Sequence, residues 1–413
     1  MRFAQIPPAV LLALFLSLDL PMSAAEPVSS PSTSSTPRAE NPAIGDILAA
    51  PLDQLEQAYA DQTPPEAVRM LIAISRGSHL GPGEGWFGPA QSRYSWNWLA
   101  ARHGVAADGA IAQADFRGPA AQFTRLDRNR DGRVDAEDLD WSDGNLWVRQ
   151  AYLVNRLFRR VDAGGDGRLT REKWLKFFDQ AAGNKGELHD EDLRDALLAG
   201  VSSAFQPGDA PTKDVLIRGL FSGEIGSMNE GPQINDRAPD FSLKTLDGRQ
   251  TIRLHDVVGA KPVVLVFGNY TCAPFRSMFP GVEEAARRFA DEAVFLAIYV
   301  REAHPTDGWR MISNERVGVQ ATQPKTYAER VAVAAQCAAR LKPTMPLLVD
   351  EINDPTGNAY SGMPARLYVI DCAGQVAYKG GRGPFGFKTG EMEQALVMTL
   401  LDRATTGPEP RRE

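Results

Sequence analysis

The stretch KPVVLVFGNYTCAPFR, residues 261–276, decides the reading of the chain. Pro262-Val263-Val264-Leu265-Val266-Phe267 is a continuous apolar run of strand length, the pattern of a strand buried on both faces. Gly268-Asn269-Tyr270-Thr271 reads as a turn, and Cys272-Ala273-Pro274-Phe275 as the opening of a helix. Pro274 falls in the first helical turn, where a missing N–H costs nothing. Cys272 is therefore expected where free backbone N–H groups and the helix dipole favour a thiolate, the reactive form of cysteine. A purely structural cysteine would more usually lie inside a strand or helix.

The pattern continues downstream. Strand-like runs Ala293–Val300 and Arg366–Ile370 alternate with helical runs Gly281–Phe289 and Tyr327–Leu341, which predicts an α/β domain with helices covering a sheet. Its boundary falls near residue 236, ahead of Ala238-Pro239-Asp240-Phe241. Ligands of open α/β sheets gather beyond the carboxyl ends of parallel strands. A helix crosses between the first two strands, so they should run parallel, and the second delivers Glu302 and His304 to the rim that carries Cys272. Strand Arg366–Ile370, turn Asp371–Gly374 and the return Gln375–Tyr378 bring Gly380-Gly381-Arg382-Gly383-Pro384 to the same rim. Arg382 between glycines suits an anion. Cys372, in the far turn, is a poor resolving thiol. Cys337, inside AVAAQCAARL, reads most simply as a core residue, with a resolving role left open. Taken singly, Glu302 and His304 read as surface groups; grouped with Cys272 they read as a site.

Upstream, units 104–115, 127–138, 162–173 and 181–192 each place glycine at loop position 6 and an aliphatic residue at position 8. The glycines are Gly109, Gly132, Gly167 and Gly186; the aliphatics are Ile111, Val134, Leu169 and Leu188. Short helices such as Ala120–Leu126 and Tyr152–Val161 separate the units, as in tandem EF-hand pairs. The loop DRNRDGRVDAED, 127–138, supplies a calcium set: Asp127, Asn129 and Asp131, the Arg133 carbonyl, Asp135, and Asp138 where Glu is usual. Without a cation these carboxylates would repel one another. In DAGGDGRLTREK, 162–173, Gly164 removes a ligand and Lys173 replaces the last carboxylate, so Asp162 and Asp166 offer at most a weak second calcium site. The outer two units offer almost no ligands and read as structural partners.

The organisation is thus a signal peptide at 1–25, a disordered Ser/Pro-rich linker at 26–44, a helical lead segment at 45–100, the EF-hand-like region at 101–200, a connector at 201–236 and the α/β domain at 237–405. Arg2, the apolar run Val10-Leu11-Leu12-Ala13-Leu14-Phe15-Leu16 and the small residues Ser23-Ala24-Ala25 form the three-part pattern of an export leader, giving a periplasmic or secreted protein. No other segment is long and apolar enough to span a bilayer. A net charge of −7 leaves no basic footprint for nucleic acid. Three cysteines in 413 residues do not make a disulfide scaffold, and an odd count leaves at least one thiol outside intramolecular pairs.

Three runs, VVLVFGNYTCAPF, YVREAHPTDGW and RLYVIDCAGQVAYKGGRGP, resemble the iodothyronine deiodinases in order and spacing, over residues 237–400. The resemblance implies a thioredoxin-like domain with Cys272 at the usual selenocysteine position, acting as nucleophile. It further implies that Glu302 and His304 assist proton handling or ring binding and that Arg382 helps hold a substrate anion. Reductive removal of iodine from an iodinated aromatic, an external thiol reductant and a homodimer follow from the same likeness. The chain departs from the family at Tyr270, where a helper cysteine is frequent, and around Gln323-Pro324, where a histidine is expected. Met363-Pro364 is closer to the cis-proline of general thioredoxin folds, and the EF-hand module lies outside the family's usual architecture. Two other readings stand beside this one. Cys272 could attack peroxide as a one-cysteine peroxidase, although Asn269 stands where peroxiredoxins usually have Thr or Ser. Alternatively, the chain is a non-enzymatic calcium-binding envelope protein with a redox domain reduced to a scaffold. The expected fold class is multidomain: an all-α EF-hand region followed by an α/β thioredoxin-like domain.

Overall fold

The computed structural model of the protein describes residues 52–78, 89–142, 144–162, 167–198, 211–226, 228–383 and 386–406. The expected leader and linker, 1–44, lie outside them, as do Gly164 and Asp166 of the second loop. Residues up to 64 belong to a first unit, helical over 52–58; residues 65–413 form a second, which holds every element below.

Helix α1 (Glu66–Ser75) buries Met70, Leu71 and Ile74 on one stripe, the spacing of an amphipathic helix. Strand β1 is Gln91–Ser92. Helix α2 (Trp96–His103) starts where Ser95 caps the Trp98 N–H and stops at Gly104 in the left-handed region. Then β2 (Ile111–Ala112), α3 (Ala120–Leu126), β3 (Arg133–Val134) and α4 (Ala136–Leu139) follow. Strands β2 and β3 pair antiparallel with Ile111 opposite Val134, both fully buried, so the position-8 aliphatics of the first two loops meet in one short ladder. The side chain of Arg128 lies between the rings of Trp141 and Trp147, 4.8 and 4.7 Å from their centroids, and fixes the exit from α4. Helices α5 (Leu146–Val161), α6 (Arg171–Ala182), α7 (Asp190–Leu198) and α8 (Lys213–Ser222) complete the upstream part.

The second calcium-like loop is closed by its own cation. Lys173 Nζ lies 2.6 Å from Asp162 Oδ1 and donates to the Arg168 carbonyl at 2.8 Å, while the Gly167 N–H donates to Asp162 Oδ2. The ammonium thus takes the carboxylate of position 1 and the carbonyl of position 7, two groups that calcium would use. Among the described residues of 162–173, Lys173 thus stands where a calcium ion would need these oxygens.

The remaining elements build the sheet: β4 (Ser242–Thr245), β5 (Thr251–Arg253), α9 (Leu254–Val257), β6 (Val263–Gly268), α10 (Ala273–Arg288), β7 (Val294–Tyr299), α11 (Ile312–Arg316), α12 (Tyr327–Leu341), β8 (Leu347–Val349), α13 (Pro355–Tyr360), β9 (Arg366–Ile370), β10 (Val376–Lys379) and α14 (Thr389–Thr406). Strand order is β1-β10-β9-β6-β7-β8-β4-β5. Strand β6 has no exposed residue and runs parallel to β7 and antiparallel to β9. The core β10-β9-β6-β7, with α10 joining the parallel pair and a cis Met363-Pro364 bond ahead of β9, is the thioredoxin-like arrangement. The apolar run alone does not reveal β4, β5 and β8, which extend the sheet on the far side of β7.

Contacts run across the expected boundary near 236. β1 pairs with β10 across Gln91 and Lys379, and Gln394 of α14 bridges the Trp141 indole N–H and the Asp138 carbonyl. The calcium-like loop is therefore tied to the helix that covers the sheet.

Removing the ammonium from the second loop leaves Asp162, buried and charged, without its partner. Lys173→Met should cost ~3 kcal/mol in urea unfolding, and adding Asp162→Asn should recover most of it. Equal stability of native protein and single variant would show that the ammonium does not hold the loop.

Candidate active site

The end of β6 turns sharply because Gly268 carries no side chain. A Cβ there would sit 2.2 Å from the Phe275 ring, so the first turn of α10 packs directly on the strand end. Cys272 is the N-cap residue of α10, 1% exposed. Its position agrees with the sequence reading; its protonation does not. Burial pushes the thiol up to about 11, outweighing the Phe275 N–H and the nearby Arg276 guanidinium, which favour the thiolate. The expected thiolate is a protonated thiol in this structure. A helix terminus contributes up to ~2 kcal/mol, whereas full burial moves a titrating group by up to ~3–5 pKa units. Desolvation wins.

One amide organises the rim. Asn269, completely buried, accepts from the Cys272 N–H at 3.0 Å and the Ala303 N–H at 3.2 Å, lies 3.2 Å from the Thr271 hydroxyl oxygen, and donates to the Pro364 carbonyl at 3.0 Å. It joins the cysteine loop, the loop after β7 and the cis-proline. Glu302 is 1% exposed and accepts from the Thr271 N–H at 2.9 Å, the Thr271 hydroxyl at 2.8 Å and the Tyr299 hydroxyl. Burial raises its carboxyl above the ordinary range despite those donors. The Glu302 N–H donates to Gln323 Oε1 at 3.0 Å, so the residue standing near the expected histidine position braces this loop.

His304 is half-buried. Its N–H donates to Thr271 Oγ1 at 2.9 Å, and its ring meets Trp309 edge-on at 4.6 Å between centroids. Nδ1 lies 3.2 Å from the Trp309 carbonyl, which can only accept, so Nδ1 carries the proton. The structure thus gathers Cys272, Glu302 and His304 around Thr271. Asn269, Thr271 and Tyr299 belong to the same network. The one available signal for them was the placement of three polar side chains, Asn269, Tyr270 and Thr271, in a turn between an apolar strand and the cysteine.

Arg382 is not offered to an anion from outside. It is 1% exposed, and its guanidinium binds the two carboxylate oxygens of Glu66 at 3.1 and 3.2 Å and Ser361 Oγ at 2.8 Å. Arg366 grips the same carboxylate at 3.0 and 3.1 Å. Gly226, at φ +125, makes room for this guanidinium, since a Cβ there would lie 1.8 Å from Nη1. The proposed anion ligand of the sequence reading is replaced by a carboxylate from α1. Glu66 is held at about 2 against the burial that would raise it, by the charges and hydrogen bonds of Arg366 and Arg382. Under the rim, the cavity bounded by Phe275, Tyr299 and Cys337 measures ≈ 10 Å³, room for about one water. Cys337 is buried on α12, and Cys372 sits in the distant turn.

The loop 127–138 is an all-oxygen donor set. Asp127 accepts from the Asp131 and Gly132 N–H groups, Asn129 from Asp131, and Asp131 from Arg133, which curls positions 1 to 7. Asp138 caps the loop, accepting from the Arg128, Asn129 and Asp135 N–H groups. Burial and then the Asp135 charge push its carboxyl up, the condition a cation would relieve. Among the described residues no three His, Cys, Asp or Glu side chains are gathered as a metal cluster. In kind, the residues fit calcium.

A family model for iodothyronine deiodinase matches residues 217–399. The thyroxine 5-deiodinase of Gallus gallus is 32% identical over 191 residues, 46% of this chain and 70% of that protein. The chain belongs to the iodothyronine deiodinase family. The thyroxine 5-deiodinase of Ovis aries is 32% identical over 197 residues, 48% of this chain and 65% of that protein. Among solved structures, a putative thiol:disulfide interchange protein DsbE from Chlorobium tepidum is 20% identical with a TM-score of 0.30, covering 41% of this chain and 98% of that one. This deiodinase-family chain is a thiol-dependent oxidoreductase, and its matched region contains Cys272, Glu302, His304 and Arg382 but neither Glu66 nor the loop 127–138.

The Glu66 carboxyl titrates below its unfolded value of 4.5. Its stabilisation is therefore complete above that pH and is lost as pH falls towards 2. Glu66→Gln should lower stability at neutral pH by ~3 kcal/mol and flatten this acid limb in urea unfolding. Superimposable pH–stability curves for the two proteins would dismiss the pair as a stabilising feature.

Proposed function

We propose that the protein reductively removes iodine from an iodinated aromatic through Cys272. The observation that carries this reading is the cysteine at the α10 N-terminus, on the same hydrogen-bonded rim as the buried Glu302 carboxyl. The Cys272 thiolate attacks the iodine, forming an S–I bond as the C–I bond breaks, and the ring carbon takes a proton. Glu302, with its raised carboxyl, and His304, with its Nδ1 proton fixed, are the groups placed to handle that proton. An external thiol then displaces iodide from sulfur to give a mixed disulfide, and a second thiol releases Cys272 as a thiol. Sulfur in the selenocysteine position is the weaker nucleophile towards iodine, which makes the step slower than with selenium.

The calcium reading is part of the same proposal. Asp127, Asn129, Asp131, the Arg133 carbonyl, Asp135 and Asp138 would hold the ion, which supplies charge neutralisation and rigidity to the loop beneath α14. Export is supported by the apolar run 10–16 and the small residues 23–25. No helix among the described residues is long and apolar enough to cross a membrane.

Purified protein with dithiothreitol, offered an iodothyronine, should release iodide, and Cys272→Ser should abolish that release. Iodide release unchanged in the variant would sink the reading. Turnover of hydrogen peroxide alone, dependent on Cys272, would replace it with a thiol peroxidase. Calorimetric titration with calcium should give a site that Asp127→Ala weakens at least tenfold; equal affinity in the two proteins would discard the loop as the site.

A further inference from the structure

Arg276 stands one helical turn after Cys272, 2% exposed, and no ion pair joins it to a carboxylate among the described residues. Its N–H donates to the Cys272 carbonyl at 3.1 Å, in the first turn of α10. The guanidinium reaches back along the helix to donate to the Tyr270 carbonyl through Nη1 and to Asn314 Oδ1 at 2.8 Å through Nη2. Asn314 in turn donates to the Thr271 carbonyl at 2.7 Å, and Nε of Arg276 is buried without a hydrogen-bond partner. The other buried arginines at this end of the sheet are treated differently. Arg366 and Arg382 share Glu66, and Arg330 binds both oxygens of Asp354 at 2.8 and 3.0 Å.

A neutral amide could satisfy the Tyr270 carbonyl and Asn314 equally well. A fully buried cation with only neutral partners costs several kcal/mol, so its retention calls for an anion that is present during some part of the cycle. The groups that face it are few. Tyr270 and Cys272 lie on its own loop and Cys337 and Arg340 come from α12, while Glu302, from the loop after β7, faces Cys272. Glu302 is committed to Thr271 and Tyr299, and Arg340 adds a second positive charge that repels Arg276. Cys337 lies in the middle of α12, where burial raises its thiol with no helix terminus to oppose it; among the described residues the remaining group able to become an anion is the Cys272 thiol at the start of α10.

We infer that Arg276 is the built-in counter-cation of the Cys272 thiolate, a positioning residue that makes ionisation of the buried thiol attainable when its proton leaves to solvent. The inference rests on Cys272 being the reacting group. It is read without any substrate, so its failure is distinct from an absence of iodide release.

The test is a titration of thiolate ultraviolet absorbance, taken as the difference between each protein and its Cys272→Ser counterpart. Arg276→Met should raise the midpoint by about one unit, leaving roughly tenfold less thiolate at a given pH below it. Arg276→Lys, which keeps the charge and loses the fork, should restore most of that shift even though both variants lose thermal stability. Arg276→Gln keeps donors for Tyr270 and Asn314 without the charge, and serves where the methionine variant does not fold; its midpoint should also rise by about one unit. An unchanged midpoint in the neutral variants, or an equal shift in the lysine variant, would leave Arg276 a clamp for the loop and overturn the inference.

Discussion

Everything at the catalytic rim hangs on the side-chain amide of Asn269. Its oxygen takes two N–H donors and its nitrogen gives one bond, and those three contacts come from the cysteine loop, the loop after β7 and the segment containing the cis-proline. A buried amide with its oxygen this fully used has one orientation, because rotating it would set N–H groups against N–H donors. Fixing that amide fixes the start of α10, hence the sulfur, and it also places Ala303 between Glu302 and His304. The strands supply rigidity; this one residue converts it into relative position.

Burial then sets the chemistry. Cys272 and Glu302 both titrate upward, and in each case removal from water is the largest cause. The donors around them act in the opposite direction and are weaker. The sequence places a cysteine at a helix N-terminus, from which a lowered thiol follows only if the terminus is wet. Phe275 packed on Gly268 and the network under Asn269 keep it dry.

Much of the fold was legible because apolar runs are local. The strands at 263–268, 294–299 and 366–370 and the helices at 120–126 and 327–341 follow directly from period and length. Strands such as Ser242–Thr245 and Gln91–Ser92 do not, since their mixed polarity acquires meaning only beside a partner strand. The site divides along the same line. Cys272, Glu302 and His304 could be placed together by strand direction alone. Arg382 could be placed at the rim but not given its partner, because Glu66 lies 316 residues away in sequence. The ammonium of Lys173, by contrast, could be foreseen as an obstacle to calcium at position 12; that it takes the ion's own ligands required the loop's closure to be seen.

The closed rim gives protonation and access a common cause. Burial pushes the Cys272 thiol up, and the same burial, 1% exposed, closes its sulfur off from solvent. Both conditions come from the same packed side chains. Any movement that opens a path to sulfur also admits water, weakens desolvation and lets the Phe275 N–H and the Arg276 guanidinium lower the thiol. The same movement lessens the burial that raises the Glu302 carboxyl, so its titration shifts together with that of the thiol. Access to the sulfur and the titration of both groups are therefore not separate adjustments of this site but consequences of one change in hydration.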